Sequence, residues 1–452
     1  MGNLDTSLSS GISRELPRVT RPTRVRYVVL AAGCSMALLS YVLRIAFALY
    51  ANEIRLEFGL NKADVGDLMF AFLFAYSVLQ IPAGLAGDRL GARLLLTLFM
   101  LGSALATAAI VLVPHPVESE NPRAGVLFPL VMLIILRAIF GAMQSGVFPV
   151  FTRVVADWVP LTERGGAQGA MWTASRLGGA LVPPVLTWMF VKLNGWRAPM
   201  EIVAVLGLLW SVGFWFWFRN RPEDNASVND EERALIGAGR TVVTGVRQPV
   251  PWKKMLGSRS VWCLCLMYGC CGPAGNFMLT LLPLYLSDQR SLDRDTGAWV
   301  VGLPLAAGFI ACLCGGLVSD RLIRLWGSRK WGRRANGLVG LVLAGLAFAG
   351  TVYVQDVWLL GLLLCVAQFG NDFNMAPAWA ACADVGERYA GTISGAMNMI
   401  SCMTGAVAAK VAGHYFERGE PAAVFLAFGG IWLLGALCWF GIDVNKSIAR
   451  SA

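Results

Sequence analysis

Residues 84–113 read GLAGDRLGAR followed by LLLTLFMLGSALATAAIVLV. The second part is twenty residues long and carries no charge. A helix of that length spans about 30 Å, the thickness of a bilayer's hydrocarbon core. The first part is short and polar, with Asp88, Arg89 and Arg93 between glycines. The pattern is therefore one apolar run, a charged break, and another apolar run. It repeats along the 452 residues, of which 56% are hydrophobic and only 15% charged, with mean hydropathy +0.59. A soluble domain is about 25% charged, so a soluble fold and a disordered chain are both excluded. The sequence predicts an all-α membrane protein.

The apolar runs predict twelve spans: 27–50, 64–86, 93–114, 124–150, 166–191, 197–218, 261–286, 297–319, 336–354, 357–381, 390–413 and 421–443. Residues 1–26 form a basic tail without a signal-peptide core. Residues 27–218 and 261–443 make two six-helix halves. Residues 219–260 make a linker, and 444–452 a short C-terminal tail. Within the linker, Asn229 ahead of Asp230-Glu231-Glu232 predicts a capped amphipathic helix at the surface. Lys and Arg fall 26 to 9 in favour of the side holding both termini, with three more inside spans. By the positive-inside rule that side is cytoplasmic, in a plasma or bacterial inner membrane. The net charge of +10 thus orients the chain in its lipid bilayer and implies no nucleic-acid partner. All eleven cysteines lie in apolar runs, with no histidine at metal spacing, so neither a metal site nor a cofactor is expected.

The halves echo each other. Gly84-x-x-x-Asp88-Arg89-x-Gly91-x-Arg93 closes span two and opens span three, and Gly316-x-x-x-Asp320-Arg321 closes span eight. Glu163-Arg164 and Glu387-Arg388 lie between spans four and five of their halves. An acid at a helix end, beside glycines that admit close approach, can pair with arginine across the halves and latch one conformation. Asp88, Arg89, Arg93, Asp320, Arg321, Glu163, Arg164, Glu387 and Arg388 are therefore gating candidates. Duplication is the usual architecture of secondary transporters.

The loop motif and its echo resemble the major facilitator superfamily, which implies that fold. Tyr76-x-x-x-Gln80-x-Pro82-x-Gly84, Phe148-Pro149, Trp158-x-Pro160-x-x-Glu163-Arg164, Gly195-Trp196-Arg197, Leu282-Pro283-x-Tyr285-Leu286 and Gly395-x-x-Asn398 resemble, in order, its anion:cation symporter family. That family includes sugar-acid and other organic-anion permeases. The resemblance implies a small organic anion as substrate and a proton or sodium ion as coupling partner. It also implies substrate-binding roles for Tyr41, Arg44, Tyr76 and Arg137, and usually a single working chain.

Intramembrane charges agree. Arg44, Arg137 and Arg176 lie within spans, against one clear acid, Asp372. A midspan arginine costs about 2.5–3.5 kcal/mol to insert, so each needs a partner or a watery cavity. The guanidinium fork suits a carboxylate. For Arg176 a gate and a salt bridge are both open. Trp379, Asn374, Asn398 and Gln144 are further candidate substrate contacts. Pro183-Pro184 and Pro283 are expected to bend their helices. Proton-coupled members of the family carry acids where this chain has Leu43 and Gln144. That leaves Asp372 as the coupling candidate, or else uniport or exchange. A drug or cation exporter of the same fold would need an acidic cavity and a glycine-proline pattern in span five, where this chain has Gly178-Gly179 and Pro183-Pro184. A transporter-like anion sensor would need a signalling domain, for which the cytoplasmic segments are too compact. No nucleophile, phosphate loop or metal motif supports an enzyme.

Overall fold

The computed structural model describes residues 21–116, 122–238, 250–280, 282, 285–286 and 294–448. Among them, nine helical stretches are long and apolar enough to cross a membrane, or ten if a pair bent by 47° counts as one span. One stretch, Val357–Phe416, holds two long helices. One further long helix, Arg164–Lys192, is richer in small and polar residues. The twelve segments are α1 (Val25–Leu49), α2 (Lys62–Val78 with Gln80–Leu90), α3 (Ala92–Val111), α4 (Pro122–Ser145 with Val147–Trp158), α5 (Arg164–Lys192), α6 (Arg197–Trp217), α7 (Arg259–Thr280), α8 (Arg294–Trp326), α9 (Arg329–Gly350), α10 (Val357–Gly386), α11 (Ala390–Glu417) and α12 (Pro421–Cys438). Pro183 and Pro184 sit inside an unbroken α5. Pro283, residues 1–20 of the basic tail and 239–249 of the linker lie outside the described residues.

Several helices outrun their apolar cores at the end that holds the start of α1. α2 continues to Leu90, α4 to Trp158, α8 to Trp326 and α10 to Gly386, and α9 already begins at Arg329. Hydropathy stops short of these ends because they carry charge: Asp88 and Arg89 on α2, Arg153 and Asp157 on α4, Asp320, Arg321 and Arg324 on α8, Asp384 on α10, and Arg329, Lys330, Arg333 and Arg334 on α9. Helix N-termini need partners for their first amides, and here the other half supplies them.

The linker helix forms over Asp230–Gly237, with Asn229 Oδ1 accepting from Glu232 N at 3.0 Å. Its Glu232 is fully buried against the start of α1. The carboxylate accepts from Thr23 Oγ1 (2.6 Å), Val25 N (2.9 Å), Arg26 N (3.2 Å) and Arg26 Nη1 (3.0 Å). Burial penalises its charge, but these hydrogen bonds outweigh the penalty and hold its pKa below the usual value. This helix is thus a cap for α1.

Candidate functional site

The two echoed motifs close one end of the bundle, and they do so symmetrically. Asp88, on α2, accepts from Gly391 N (3.0 Å), Thr392 N (2.7 Å) and Thr392 Oγ1 (2.6 Å) at the start of α11. Asp320, on α8, accepts from Gly165 N (3.0 Å) and Gly166 N (2.5 Å) at the start of α5. Each acid caps a helix of the opposite half, where orphan amides and the positive end of the helix dipole favour a carboxylate. Glycine makes the approach possible. A Cβ on Gly84 would run into the Gly391 carbonyl, and one on Gly316 into the Gly165 carbonyl.

The sequence expected an acid–arginine pair across the halves. For Asp88 the cross-half partner is instead a helix N-terminus. At this end Arg164 pairs with Asp384 across the halves, at 2.8 Å. Arg333 joins Asp320 (2.9 Å) to Asp384 (3.3 Å) in the same buried cluster. On the other seam Arg153 donates to the Arg388 carbonyl. Glu163 pairs with Arg26 of its own half at 3.2 Å. Arg93 donates to the Trp215 carbonyl at 2.8 Å and lies over the Trp215 ring, away from the seam. Arg89 and Arg321 are exposed, with no polar partner among the described residues. Glu387 opens the turn between α10 and α11 with φ 44°.

Sequence reasoning missed Arg153, Arg333 and Asp384. The echo gave only a loose signal for Asp384, because Asp157 lies six residues before Glu163 and Asp384 three residues before Glu387. Arg333 stands thirteen residues after Asp320, whereas Arg93 follows Asp88 by five, so the motif spacing hid it.

Deeper in the bundle, Arg44 and Arg137 meet around Phe72. Their guanidinium carbons lie 5.4 and 4.7 Å from its ring centre. Arg44 also lies over the rings of Tyr41 (5.2 Å) and Tyr76 (4.7 Å), and its Nη2 is 3.5 Å from Gln144 Oε1. Arg137 is only 2% exposed and sits against Phe47 (4.1 Å) and Phe140 (5.4 Å), with Met69 Sδ at 3.9 Å. The Nε atoms of both arginines are buried without an acceptor. Among the described residues neither has a carboxylate partner. A buried cation left so is costly unless a ligand completes it. Gln144 is held by Ser40, whose hydroxyl donates to it, and donates to Ser103 Oγ at 3.2 Å. It orients Arg44 without adding charge.

Arg176 is accounted for differently. Its Nη2 lies 2.8 Å from Asp372 Oδ1, joining α5 to α10 across the halves. Asp372 also accepts from Gln368 (2.8 Å) and Asn371 (3.0 Å). Asn398 donates to Gln80 Oε1 (2.7 Å) and lies 3.4 Å from Tyr76 OH, so α11 reaches the arginine site through Tyr76. Trp379 is fully buried. It donates to Tyr268 OH at 3.0 Å and packs on Trp172, which stacks on Phe148, forming an aromatic plug between the halves. Asn374 is not at this site: it accepts from Trp439 at 2.9 Å and faces Met267 and Cys271 inside its own half. The cross-half hydrogen bonds and ion pairs named here lie between this depth and the latched end.

The arrangement is that of two helical halves joined at one end. A model of the Major Facilitator Superfamily matches residues 29–409. The chain is 29% identical over 416 residues to the probable sulfoacetate transporter SauU of Cupriavidus necator, covering 92% of this chain and 93% of the relative. It is 28% identical to a D-galactonate transporter of Escherichia coli, covering 93% and 96%. A solved structure of the transporter FucP in the outward conformation matches with TM-score 0.71 at 13% identity, over 93% of this chain and all of that one.

Proposed function

The chain belongs to the Major Facilitator Superfamily, and we propose that it carries a small organic anion, such as a sugar acid or another short carboxylate or sulfonate, by alternating access. It is an integral membrane transporter and not an enzyme. The observation that carries the anion reading is the pair of guanidiniums seated on Phe72, half-buried Arg44 and buried Arg137, neither of which has a carboxylate partner among the described residues. The relatives named for sulfoacetate and D-galactonate support the same substrate class.

In this reading Arg44 and Arg137 hold the anionic part of the substrate, Tyr41 and Tyr76 flank it, Gln144 orients Arg44, and Asn398 ties the site to the second half. Trp379 is the floor. Asp88 and Asp320 control rocking. The latched end faces the cytoplasm, following the 26-to-9 basic bias, so both termini are cytoplasmic and the present conformation opens outward. Asp372 with Arg176 is the candidate for coupling, through a proton, a sodium ion or the substrate's own charge.

The test is a binding titration of the purified chain in lipid nanodiscs with sulfoacetate and galactonate. Arg44→Ala and Arg137→Ala each remove a desolvated charge partner and should weaken binding by about 2–5 kcal/mol. Lysine should rescue poorly, because it lacks the planar fork. Unchanged affinity in Arg137→Ala overturns the assignment.

A further inference from the structure

Resting on the reading of Arg44 and Arg137 as the anion site, we propose that the substrate is a short dianion, with one anionic group for each guanidinium. The first argument is the charge inventory. Arg176 and Asp372 form an ion pair at 2.8 Å, and Gln368 and Asn371 donate to the same carboxylate. That acid is committed and lends nothing to the other two arginines.

Arg44 and Arg137 have no carboxylate among the described residues. The residue before Arg44 is Leu43, buried at 1% exposure near Gly207. The residue seven after Arg137 is Gln144, tied by Ser40 and Ser103. Both are neutral at every pH that a cell meets. The site therefore carries two formal positive charges when empty, one when it holds a monoanion, and none when it holds a dianion.

Burial gives that difference weight. A guanidinium over an aromatic face gains about 0.5–2 kcal/mol, whereas desolvating a charge costs several. Phe47, Phe72 and Phe140 around Arg137 cannot by themselves replace its water. Alternating access requires the outer end to close over this site. Closing over a monoanion leaves one cation without a counter-ion, and closing over a dianion leaves none.

Geometry restricts the length of the dianion. With the guanidinium carbons 5.4 and 4.7 Å from one ring centre, they lie no more than about 10 Å apart. Each carboxylate or sulfonate centre in a two-pronged pair lies about 4 Å from its guanidinium carbon. Two guanidiniums this close over one ring are within reach of both anionic groups of one small molecule, such as a dianion with a one- or two-carbon bridge.

The experiment is calorimetry on the purified full chain in neutral-lipid nanodiscs at pH 7.5 and fixed ionic strength. The dianions are malonate, succinate and sulfoacetate; the monoanions are acetate, methanesulfonate and galactonate. The best dianion should bind at least about 30-fold more tightly than the best monoanion. In Arg137→Gln that ratio should fall below about threefold, with weak binding of both classes retained on Arg44. Arg137→Lys keeps the charge and should keep the dianion preference at lower affinity, which separates charge from misfolding. A monoanion that binds as tightly as the best dianion, or an Arg137→Gln variant that retains the full preference, overturns the dianion inference alone. If no anion of either series binds, or if both Arg44→Gln and Arg137→Gln leave binding unchanged, the organic-anion site itself is overturned, and this inference with it.

Discussion

Replacing Asp88 by alanine tests whether the two latches open as one. The carboxylate accepts three hydrogen bonds from α11, at 2.6–3.0 Å, and none of them survives separation of the halves. Hydrogen bonds to a charged group contribute about 1.5–3 kcal/mol each before desolvation of the acid is subtracted. Asp88 is itself part-buried, so about 3 kcal/mol for the trio is a reasonable net figure. Loss of that amount raises the ratio of unlatched to latched molecules about a hundredfold. The reporter must not be the mutated contact, because Gly391 and Thr392 lose their acceptor in any case. The amides of Gly165 and Gly166, held by Asp320 on the opposite seam, are independent of it. They lie in the first turn of α5 and have no intrahelical acceptor, so their protection reports the second latch alone. Hydrogen exchange followed by mass spectrometry on peptides covering residues 160–170 should show protection falling by a similar factor. Protection of Gly165 and Gly166 within threefold of wild type, while Gly391 and Thr392 exchange freely, would refute rigid rocking of the halves.

Three further outcomes are expected. Asp372→Asn leaves Arg176 without its counter-ion and should cost about 3 kcal/mol of stability, seen as a lower melting temperature, while Arg176→Met combined with Asp372→Leu recovers most of it. Gly391→Leu places a side chain where Gly84 O and Asp88 Oδ1 now lie 2.8 Å from the Cβ position, so the latched end cannot close and exchange at Gly165 and Gly166 should rise while circular dichroism stays helical. Because the Glu232 pKa is held below its ordinary value near 4.5, its contribution is present above that value and lost as pH falls through the lowered one. Glu232→Gln should therefore lower the melting temperature at pH 7 and converge with wild type in acid.

The spans were legible because a bilayer requires every backbone group to be satisfied within its own helix, which makes each apolar run readable by itself. Helix ends were not, since Asp88, Asp320 and Asp384 continue helices that hydropathy would stop. At the site, Arg44 and Arg137 stood out as cations in apolar runs. Asn374 misled for a geometric reason. Asp372 and Asn374 are two residues apart, and at 3.6 residues per turn their side chains point about 200° apart. One faces Arg176 and the other faces Trp439. No one-dimensional count separates them without knowing which face of α10 meets α5. Phe72, which seats both guanidiniums, carries no polar signal at all.

The two seams also differ in a way that the motif echo hides. On the α2–α11 seam, Asp88 binds backbone amides and a hydroxyl, groups that water can replace when the halves part. On the α5–α8 seam, Asp320, Arg333, Asp384 and Arg164 form a buried ionic cluster, with side-chain exposures of 0–7%. Parting the halves there splits Arg164 from Asp384, and each must regain hydration of its own. Partial entry of water into such a cluster stabilises neither the paired nor the separated state fully, because the pair's attraction falls before hydration is complete. The barrier to rocking therefore concentrates on the α5–α8 seam, while the α2–α11 seam adjusts the equilibrium between states. Asp88→Ala should accordingly change populations more than rates. Arg164→Gln, which leaves Asp384 one buried cation in Arg333, should change rates more than populations.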